Sequence, residues 1–397
     1  MSMLIESPGT LRPMLRLTMP VLAEQLLHLL VGFTDMWLTG NLLGDDAYVA
    51  AMALMMYALW MIANVFTFVS LGSTAMTARF VGAGDMALAN RVMNQSITAG
   101  TIWTAILMLV CLPLVGPFVA VMGLEGTAAA AADRYLHIEI CVLLAVMIER
   151  VGIACLRGAG DTMSGLVVMS IVNVINMALS YALAAGLGPF PQLGWTGIAL
   201  GTAIGHCCGA LIILALLAAG RAGYHLRLRD LRPDWPLIRR ILRVGIPGGF
   251  DTCAVSLCHL LYLRLILQLG DLAAAAHGVA IQIEAIGFMP GGAFQIAAST
   301  LTGQYIGARD RRRARHSVLM ATGIAMAIMM AAGVVFYIAA EPFSAFFLGG
   351  YTSPVVPVAA SLLRIIAFVM PPLAVMMVLT GALRGAGDTR WPLIFTL

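Results

Sequence analysis

The amino-acid sequence predicts an all-α membrane protein built from two related bundles of helices, and three observations carry this prediction. First, 61% of the 397 residues are hydrophobic and 11% are charged, which is typical of a chain that lies mostly in lipid. Second, the heptapeptide LRGAGDT at residues 156–162 recurs unchanged at residues 383–389. Third, the same shift of 227 positions relates further pairs, among them Pro20 with Pro247 and Glu24 with Asp251. Such self-similarity indicates two homologous bundles with a site between them.

Stretches of about 20 apolar residues, the length that crosses a bilayer, mark the individual spans. In the first bundle we predict six spans, at residues 17–40, 47–71, 88–112, 134–155, 164–187 and 195–219. In the second bundle we predict four, at residues 241–268, 275–298, 316–339 and 355–381, and the start of an eleventh at residues 391–397. Six spans per repeat is an even number, so the two repeats run parallel.

The domain boundaries follow from these spans and from the repeat distance. We expect an N-terminal six-helix bundle over residues 1–220, a cytoplasmic linker over residues 221–240 and a C-terminal bundle over residues 241–397. The position that matches the end of the first bundle, 227 residues further along, would fall beyond the last residue of this sequence. We therefore expect the second bundle to be truncated here, with about ten full spans in the chain and twelve in a complete protein.

Arginines set the predicted orientation, because the chain contains no lysine. Nineteen of its 23 basic residues fall in alternate connections, and the intervening ones, such as that around Asp45, hold essentially none. Positive loops stay in the cytoplasm, so we expect a multi-pass protein of a bacterial inner membrane with a cytoplasmic N-terminus. The arginine-rich loops indicate topology and not a nucleic-acid partner. The absence of lysine excludes a P-loop, which argues against ATP-driven transport by this chain alone.

The cysteines are not expected to build a special site. All seven lie within apolar segments, where cysteine behaves as a small packed residue. We expect no disulfide framework, no metal site and no cofactor.

Several motifs together resemble a known family. LRGAGDT after the fourth and tenth spans, and a first span that runs from Pro20 to Asp35 with Gly40 and Gly44 behind it, are similar to the multidrug and toxic compound extrusion (MATE) transporters. The stretch from Gln282 to Ala308 resembles the DinF-like branch of that family. The resemblance implies a secondary antiporter, not an enzyme, that exports organic, often cationic, drug-like compounds against inward proton or sodium flow. One bundle would rock against the other, and we expect the protein to act as a monomer.

The first span carries three titratable residues, Glu24, His28 and Asp35, at steps that place them on one helix face. Unpaired charge at membrane depth costs ~2.5–3.5 kcal/mol on insertion scales, so each is either functional or satisfied by a neighbour. Glu24 and His28 either form part of a cation path or simply pair with each other, whereas Asp35 has no local partner. The resemblance implies that Asp35 is the coupling residue and that Asn176, on the fifth span, faces it.

The sequence departs from the family pattern four residues beyond Asn176. Many relatives carry a second aspartate at that point, and this chain has Ser180. One carboxylate fewer argues against sodium, a hard cation that prefers anionic oxygen. A single desolvated carboxylate favours its neutral form, so we expect coupling to protons, with sodium as the open alternative.

Seven further residues are predicted to line the substrate cavity between the bundles. Tyr262 is the repeat partner of Asp35, so the carboxylate is not duplicated, and Pro290 is expected to break its helix among several glycines. Alternatively, the Gln282 side chain forms only a hydrogen bond to a neighbouring helix and does not contact substrate. The seven candidates are Tyr57, Asn173, Ser180, Asp251, Tyr262, Gln282 and Glu284.

Two other functions compete with drug export. A lipid-linked oligosaccharide flippase of the same superfamily would need a cationic cavity to hold pyrophosphate, whereas the cavity candidates here are mostly acidic. An intramembrane enzyme would need paired aspartates or a Ser–His pair at one depth, and we find no such set in the sequence.

Overall fold

A computed structural model describes residues 9–43 and 46–396 of the chain. Gly44 of the family pattern and Asp45 of the first predicted outer connection lie outside these ranges. In the first half the helices are α1 (Leu11–Leu38), α2 (Asp46–Val65), α3 (Thr67–Gly82), α4 (Met86–Val121), α5 (Gly126–Cys141), α6 (Leu143–Gly158), α7 (Met163–Ala185) and α8 (Trp195–Ala218). A π-helical turn, Thr39–Leu43, extends α1.

Two short 3-10 turns, Arg221–Gly223 and Leu228–Leu231, lie in the connection between the halves. The second half comprises α9 (Trp235–Leu267), α10 (Asp271–Gly307), α11 (Arg311–Ile338), α12 (Ala340–Phe347), α13 (Val355–Ala386) and α14 (Arg390–Thr396). Within the described residues, eight helices are long and apolar enough to cross a membrane, and a ninth crossing comes from the pair α2 and α3, which are bent by 43°. The predicted helical membrane fold is confirmed.

The fourth predicted span, residues 134–155, is where the structure departs most from the expected single helix. It consists of α5 and α6, two 16-residue helices that meet at Val142. Six charged residues lie along this pair and make it the least apolar crossing of the first half: Asp133, Arg134, Glu139, Glu149, Arg150 and Arg157. Four of them, Glu139, Glu149, Arg150 and Arg157, line the cavities of the candidate site or pair with residues that do.

Both LRGAGDT motifs form a helix end followed by a tight turn, as their glycines predict. Gly160 and Gly387 have φ values of 91° and 86°, in the left-handed region that favours glycine. Asp161 accepts a hydrogen bond from the backbone N–H of Ser164 at 3.1 Å, and Asp388 accepts one from Arg390 at 3.3 Å. Each motif therefore ends one helix and begins the next.

Glycines on α8 allow it to lie directly on α7. A Cβ added at Gly201 would lie 2.4 Å from the backbone nitrogen of Ser180, and one at Gly197 would lie 2.6 Å from the carbonyl carbon of Leu183. Small residues at this spacing permit close helix contact in membranes. These glycines form a small-residue seam, which brings Thr202 on α8 against Asn176 on α7.

The two halves cross at α3, α9 and α10, again through glycines. A Cβ at Gly82 would lie 2.0 Å from the carbonyl oxygen of Gln304, and a Cβ at Gly307 would lie 2.0 Å from that of Arg79. These two contacts are related by the sequence repeat, because Gly82 and Ala83 match Gly307 and Ala308 at a shift of 225 positions in this part of the chain. The Gln304 side chain also donates to the carbonyl of Gly158 at 2.9 Å, which ties the second half to the first LRGAGDT motif.

The prediction that Pro290 breaks its helix is wrong, because α10 runs without interruption from Asp271 to Gly307. The surrounding glycines serve packing. A Cβ at Gly287 would meet the ring of Phe336 at 2.7 Å, and one at Gly291 would meet the sulfur of Met377 at 2.6 Å. Neighbouring helices therefore pack closely against α10 on both sides of the proline.

Candidate functional site

Asp35 lies buried near the end of α1, where three neutral groups donate hydrogen bonds to it. Its carboxylate is 3% exposed. Oδ2 accepts from the hydroxyls of Tyr135 at 3.0 Å and Thr202 at 2.8 Å, and Oδ1 accepts from the amide of Asn176 at 3.3 Å. In the part of the chain that the structure describes, no cationic nitrogen forms a salt bridge with Asp35. It is therefore a hydrogen-bonded carboxylate without a counter-charge.

Asn176 and Ser180 lie four residues apart on α7, and Asn176 is in contact with Asp35. The Asn176 amide nitrogen lies 2.8 Å from the hydroxyl of Thr202 and 3.3 Å from that of Ser180. Ser180 donates to the carbonyl of Ile198 at 3.2 Å. The predicted approach of Asn176 to Asp35 is observed, whereas Ser180 contacts the carboxylate only through Asn176.

Tyr135 and Thr202, which make the two shorter bonds to Asp35, were not predicted as site residues. Both lie in the middle of helices, and single hydroxyl groups on apolar helices are too common to single out. Thr202 directly follows Gly201, one of the regularly spaced glycines of α8. This spacing is a sequence signal that the α8 backbone approaches a neighbouring helix at that point.

A cavity of ≈ 320 Å³ opens beside Asp35 within the first half. One wall is apolar and includes Met52, Met56 and Trp60. The opposite wall is polar and consists of Asp35, His28, Tyr135, Glu139, Arg150, Thr202 and His206. This combination suits a compound with a hydrophobic body and a polar or charged group.

Glu24, the second acid of α1, is held in an ion pair. Its Oε1 lies 2.5 Å from Nη2 of Arg157 and 3.8 Å from Nε2 of His28. In the second half, Asp251 Oδ2 lies 2.5 Å from Nη2 of Arg384. Both arginines belong to the LRGAGDT motifs, so the repeat reproduces the pair with both partners shifted by 227 positions. Glu24 and Asp251 thus occupy equivalent structural pairs.

A second cavity, of ≈ 360 Å³, lies between the two halves. Three arginines, Arg150, Arg157 and Arg384, line it beside Glu24 and His28. Its other polar residues come from both halves: Gln25, Thr67, Ser70, Thr74, Thr252, Gln295 and Ser299. The mostly acidic candidates of the sequence analysis do not describe this cavity, because Arg157 and Arg384, from predicted connections, and Arg150, from the fourth predicted span, line it.

The remaining predicted cavity residues lie apart from both cavities. Asn173 donates to the carbonyl of Met169 on its own helix at 2.8 Å. The Tyr57 hydroxyl is buried without a hydrogen-bond partner. The Tyr262 ring is 46% exposed and meets His277 edge-on at 5.1 Å. Gln282 is exposed and Glu284 half-buried. Ser180 and Asp251 likewise line neither cavity, because their polar atoms bond within their own halves.

Among the described residues, no cluster of three or more histidine, cysteine, aspartate or glutamate side chains is arranged to hold a metal ion. The seven cysteines are free thiols.

Comparison with known proteins agrees with this architecture. A NorM protein of Thermotoga maritima, named "Probable multidrug resistance protein NorM", is 27% identical over 396 residues, which cover 98% of this chain and 83% of that protein. The NorM relative from Pseudomonas aeruginosa is 30% identical over 396 residues, covering 96% and 78%.

Two solved structures share the fold. An outward-facing multidrug resistance MATE family transporter of the MOP superfamily superposes with a TM-score of 0.86 at 23% identity, covering 98% of this chain and 85% of that one. A MOP superfamily transporter from Pyrococcus furiosus, described as having a binding pocket of reverse polarity, gives a TM-score of 0.90 at 22% identity, covering 100% and 87%.

The MatE family profile matches residues 20–182 and 247–397. Its two matching segments begin at Pro20 and Pro247, the repeat-related prolines from which the duplication was first inferred. The chain therefore belongs to the MATE family of multidrug efflux transporters, as a multi-span membrane protein that is a transporter and not an enzyme.

Proposed function

We propose that the protein is a secondary active antiporter that exports organic, cationic drugs or toxins in exchange for protons. The observation that carries this proposal is Asp35, a buried carboxylate with three neutral donors and no counter-charge among the described residues. Ionisable groups within the membrane are costly and are typical of proton and substrate paths. The names of the NorM relatives support drugs as the cargo.

Protonation of Asp35 would alter the contacts that hold α1. The ionised carboxylate accepts from Tyr135 on α5, Thr202 on α8 and Asn176 on α7, so three helices are tied to α1 at one point. A proton removes the charge that strengthens these bonds. We expect α1 to be held less tightly in the protonated state, which would connect proton binding to a change in the shape of the adjacent cavity.

Protons fit this site better than sodium. Asp35 supplies one carboxylate, and Ser180 stands where a second is expected in many relatives. The Ser180 hydroxyl donates to Ile198 and does not face the Asp35 carboxylate. Sodium is a hard cation that favours several oxygen ligands, by the same preference that governs calcium and magnesium sites. The hydroxyls of Tyr135 and Thr202 and the amide nitrogen of Asn176 already donate to Asp35, and the free amide oxygen of Asn176 is a neutral ligand.

The test is to reconstitute the chain in proteoliposomes and follow the fluorescent organic cation ethidium. A pH gradient with equal sodium on both sides is expected to drive ethidium transport. A sodium gradient at fixed pH is expected to leave transport at the level of empty vesicles. The opposite pattern, with transport driven by sodium alone, would overturn proton coupling and leave the transporter assignment intact.

Among the predicted cavity residues, Tyr57, Tyr262, Gln282 and Glu284 remain proposed substrate contacts. All four have polar atoms that make no hydrogen bond with another side chain among those described. Asn173, Ser180 and Asp251 bond within their own halves, so we propose supporting roles for them. His28 lines both cavities and is proposed to contact the exchanged ion or the cargo.

A lipid-linked oligosaccharide flippase is the alternative, and the three arginines of the inter-half cavity are the observation that bears on it. Two of these guanidiniums already pair with Glu24 and Asp251. Arg150 alone has no ion-pair partner among the described residues. One positive charge is a poor match for pyrophosphate, so we keep drug export as the proposal. A requirement for Arg150 in flipping a lipid pyrophosphate, with no ethidium transport, would reverse this choice.

We further propose a monomer in a bacterial inner membrane with its N-terminus in the cytoplasm. The arginine-rich connections support this orientation. The proposed domains are residues 1–220 and 241–397 around the linker 221–240, and the two 3-10 turns within residues 221–231 support the linker.

A further inference from the structure

Polar groups of the first half continue beyond Asp35 into a second layer. Tyr135 and Thr202, which bind Asp35, lie on α5 and α8. Glu139 and His206 each lie four residues further along those same helices, on the same face by helical periodicity. Both line the 320 Å³ cavity together with Asp35. The helices that hold one acid therefore present another acid and a base directly beside it.

Glu139 is the more exceptional member of this layer. The residue is 4% exposed, and its Oε1 atom has no hydrogen-bond partner. No salt bridge to it exists among the described residues. A buried ionised carboxylate without partners is costly, whereas a protonated one can donate a hydrogen bond to a neighbour. The cavity beside it leaves room for a proton to arrive through water.

His206 forms a side-chain pair with Glu149. Its Nδ1 lies 3.0 Å from Oε2 of Glu149, which is 1% exposed on its side chain. Gly209 makes this approach possible, because a Cβ there would lie 2.7 Å from the same carboxylate oxygen. A carboxylate that orients one ring nitrogen leaves the other nitrogen available for proton exchange.

We propose that Glu139, together with the His206–Glu149 pair, forms a second proton-binding site, so that two protons are exchanged for each cation exported. This inference rests on the proposed proton antiport. One proton binds Asp35 and the other binds Oε1 of Glu139, with the His206 imidazole accepting and passing on that proton. Two protons enter as one monovalent cation leaves, so each cycle carries one net positive charge inward.

The neighbouring charged and titratable groups are compatible with this assignment. From α1, His28 and Asp35 face the cavity; from α5, Tyr135 faces it; from α6, Arg150 faces it. The wall from α2 is apolar and contains Met52, Met56 and Trp60. Glu149 is paired with His206, whereas Asp35 and Glu139, the two acids that line the cavity, form no salt bridge among the described residues.

The stoichiometry can be measured in proteoliposomes at zero membrane potential. A tenfold ethidium gradient is balanced by a pH difference of about 1 unit when one proton is exchanged, and of about 0.5 unit when two are exchanged. We expect about 0.5 unit for the wild type and about 1 unit for Glu139→Gln and His206→Gln. The matched control is His137→Gln, because His137 pairs with Asp133 in the same half and is 45% exposed.

The outcomes separate the two proposals. No response of the wild type to pH overturns the proposed function itself. A pH-driven wild type, with Glu139→Gln still balanced at about 0.5 unit, overturns the second site alone. A merely structural role for Glu139 would slow transport without moving the balance point.

A second measurement covers variants that do not transport. Infrared difference spectra of the purified protein between acidic and alkaline pH report the carbonyl bands of protonated carboxyl groups. We expect separate bands that disappear in Asp35→Asn and in Glu139→Gln, and a shifted band in His206→Gln. A Glu139→Gln spectrum identical to that of the wild type would overturn the inference.

Discussion

The two halves of the molecule share their internal ion pair but differ in their titratable groups. Glu24–Arg157 in the first half and Asp251–Arg384 in the second have the same 2.5 Å separation and the same relation to LRGAGDT. In both pairs the arginine Nε and the second carboxylate oxygen are buried without a hydrogen-bond partner. The two copies of the repeat therefore share both the ion pair and the positions of its unpartnered polar atoms.

Residues around Asp35 show the opposite pattern. The repeat position of Asp35 is Tyr262, which is 46% exposed, whereas Asp35 is 3% exposed. The positions that match four polar residues of the first half, Tyr135, Glu139, Glu149 and Arg150, are all apolar in the second: Leu362, Ile366, Met376 and Met377. Charges present in both halves maintain the fold, and charges present in one half mark the site where we place ion coupling.

The largest effect should come from changing the unduplicated acid. Asp35→Asn keeps the shape of the side chain but cannot take up and release a proton. We expect pH-driven ethidium transport in proteoliposomes to fall to the level of empty vesicles. His137→Gln is the control, because His137 pairs with Asp133 in the same half and is 45% exposed, and it should retain transport. Equal activity of Asp35→Asn and wild type at equal reconstitution would remove Asp35 from the mechanism.

The duplicated ion pairs should behave alike when one partner is removed. Arg157→Met leaves Glu24 buried with His28, 3.8 Å away, as its remaining partner, and Arg384→Met leaves Asp251 buried without its arginine, so each should cost about 3–5 kcal/mol. Thermal unfolding in detergent would measure the effect. Arg364→Met is the matched control, because its pair with Glu341 is 43% and 54% exposed and worth about 1 kcal/mol or less. A large loss for only one of the buried pairs would contradict their equivalence.

The sequence predicted the helices, the repeat and the LRGAGDT turns, because these depend on local composition and spacing. It also indicated that Asn176 faces Asp35, through the family resemblance. It did not predict the partners of Glu24 and Asp251, since each arginine lies 133 positions away along the chain. Tyr135 and Thr202 were missed for the same reason, because nothing local distinguishes a hydroxyl that bonds a distant acid.

The predicted break at Pro290 failed for a different reason. Proline removes one backbone hydrogen bond, and neighbouring helices in a membrane protein compensate for it by packing. Gly287 and Gly291 looked like helix breakers in the sequence but act as contact points for Phe336 and Met377. The distinction depends on residues from other helices, so local sequence does not reveal it.

Glycines at the crossing between the halves should tolerate no side chain. Gly82→Ala would place a methyl group against the carbonyl of Gln304, and Gly307→Ala would place one against that of Arg79. Overpacking of this kind typically costs about 1–3 kcal/mol, so both variants should melt earlier by similar amounts. Gly323→Ala is the control, because open space surrounds that position. An unchanged melting temperature in both crossing variants would show that the halves move apart easily.

The smallest effect concerns the two LRGAGDT aspartates, which differ in their partners. Asp161 accepts from Arg221 at 2.6 Å and from the Ser164 hydroxyl at 2.8 Å. Burial alone would raise the pKa of Asp161, but these hydrogen bonds outweigh it and lower the pKa below the ordinary value of 3.8. Asp388, in the second motif, bonds the backbone nitrogen of Arg390.

A lowered pKa in the folded state means that the ionised form of Asp161 stabilises the protein. This contribution is present above the ordinary aspartate pKa and is lost as the pH falls through the lowered one. Arg221→Gln removes the charged donor, so burial should then raise the pKa of Asp161. The stabilisation by ionised Asp161 should therefore be lost at a higher pH than in the wild type. Since Arg221 is half exposed, the effect should be about 1 kcal/mol or less, measured as a lower melting temperature at about pH 4 than in the wild type. Asp388→Asn should leave the pH profile unchanged, and an equal change in both variants would show that the two motifs carry the same charge interaction after all.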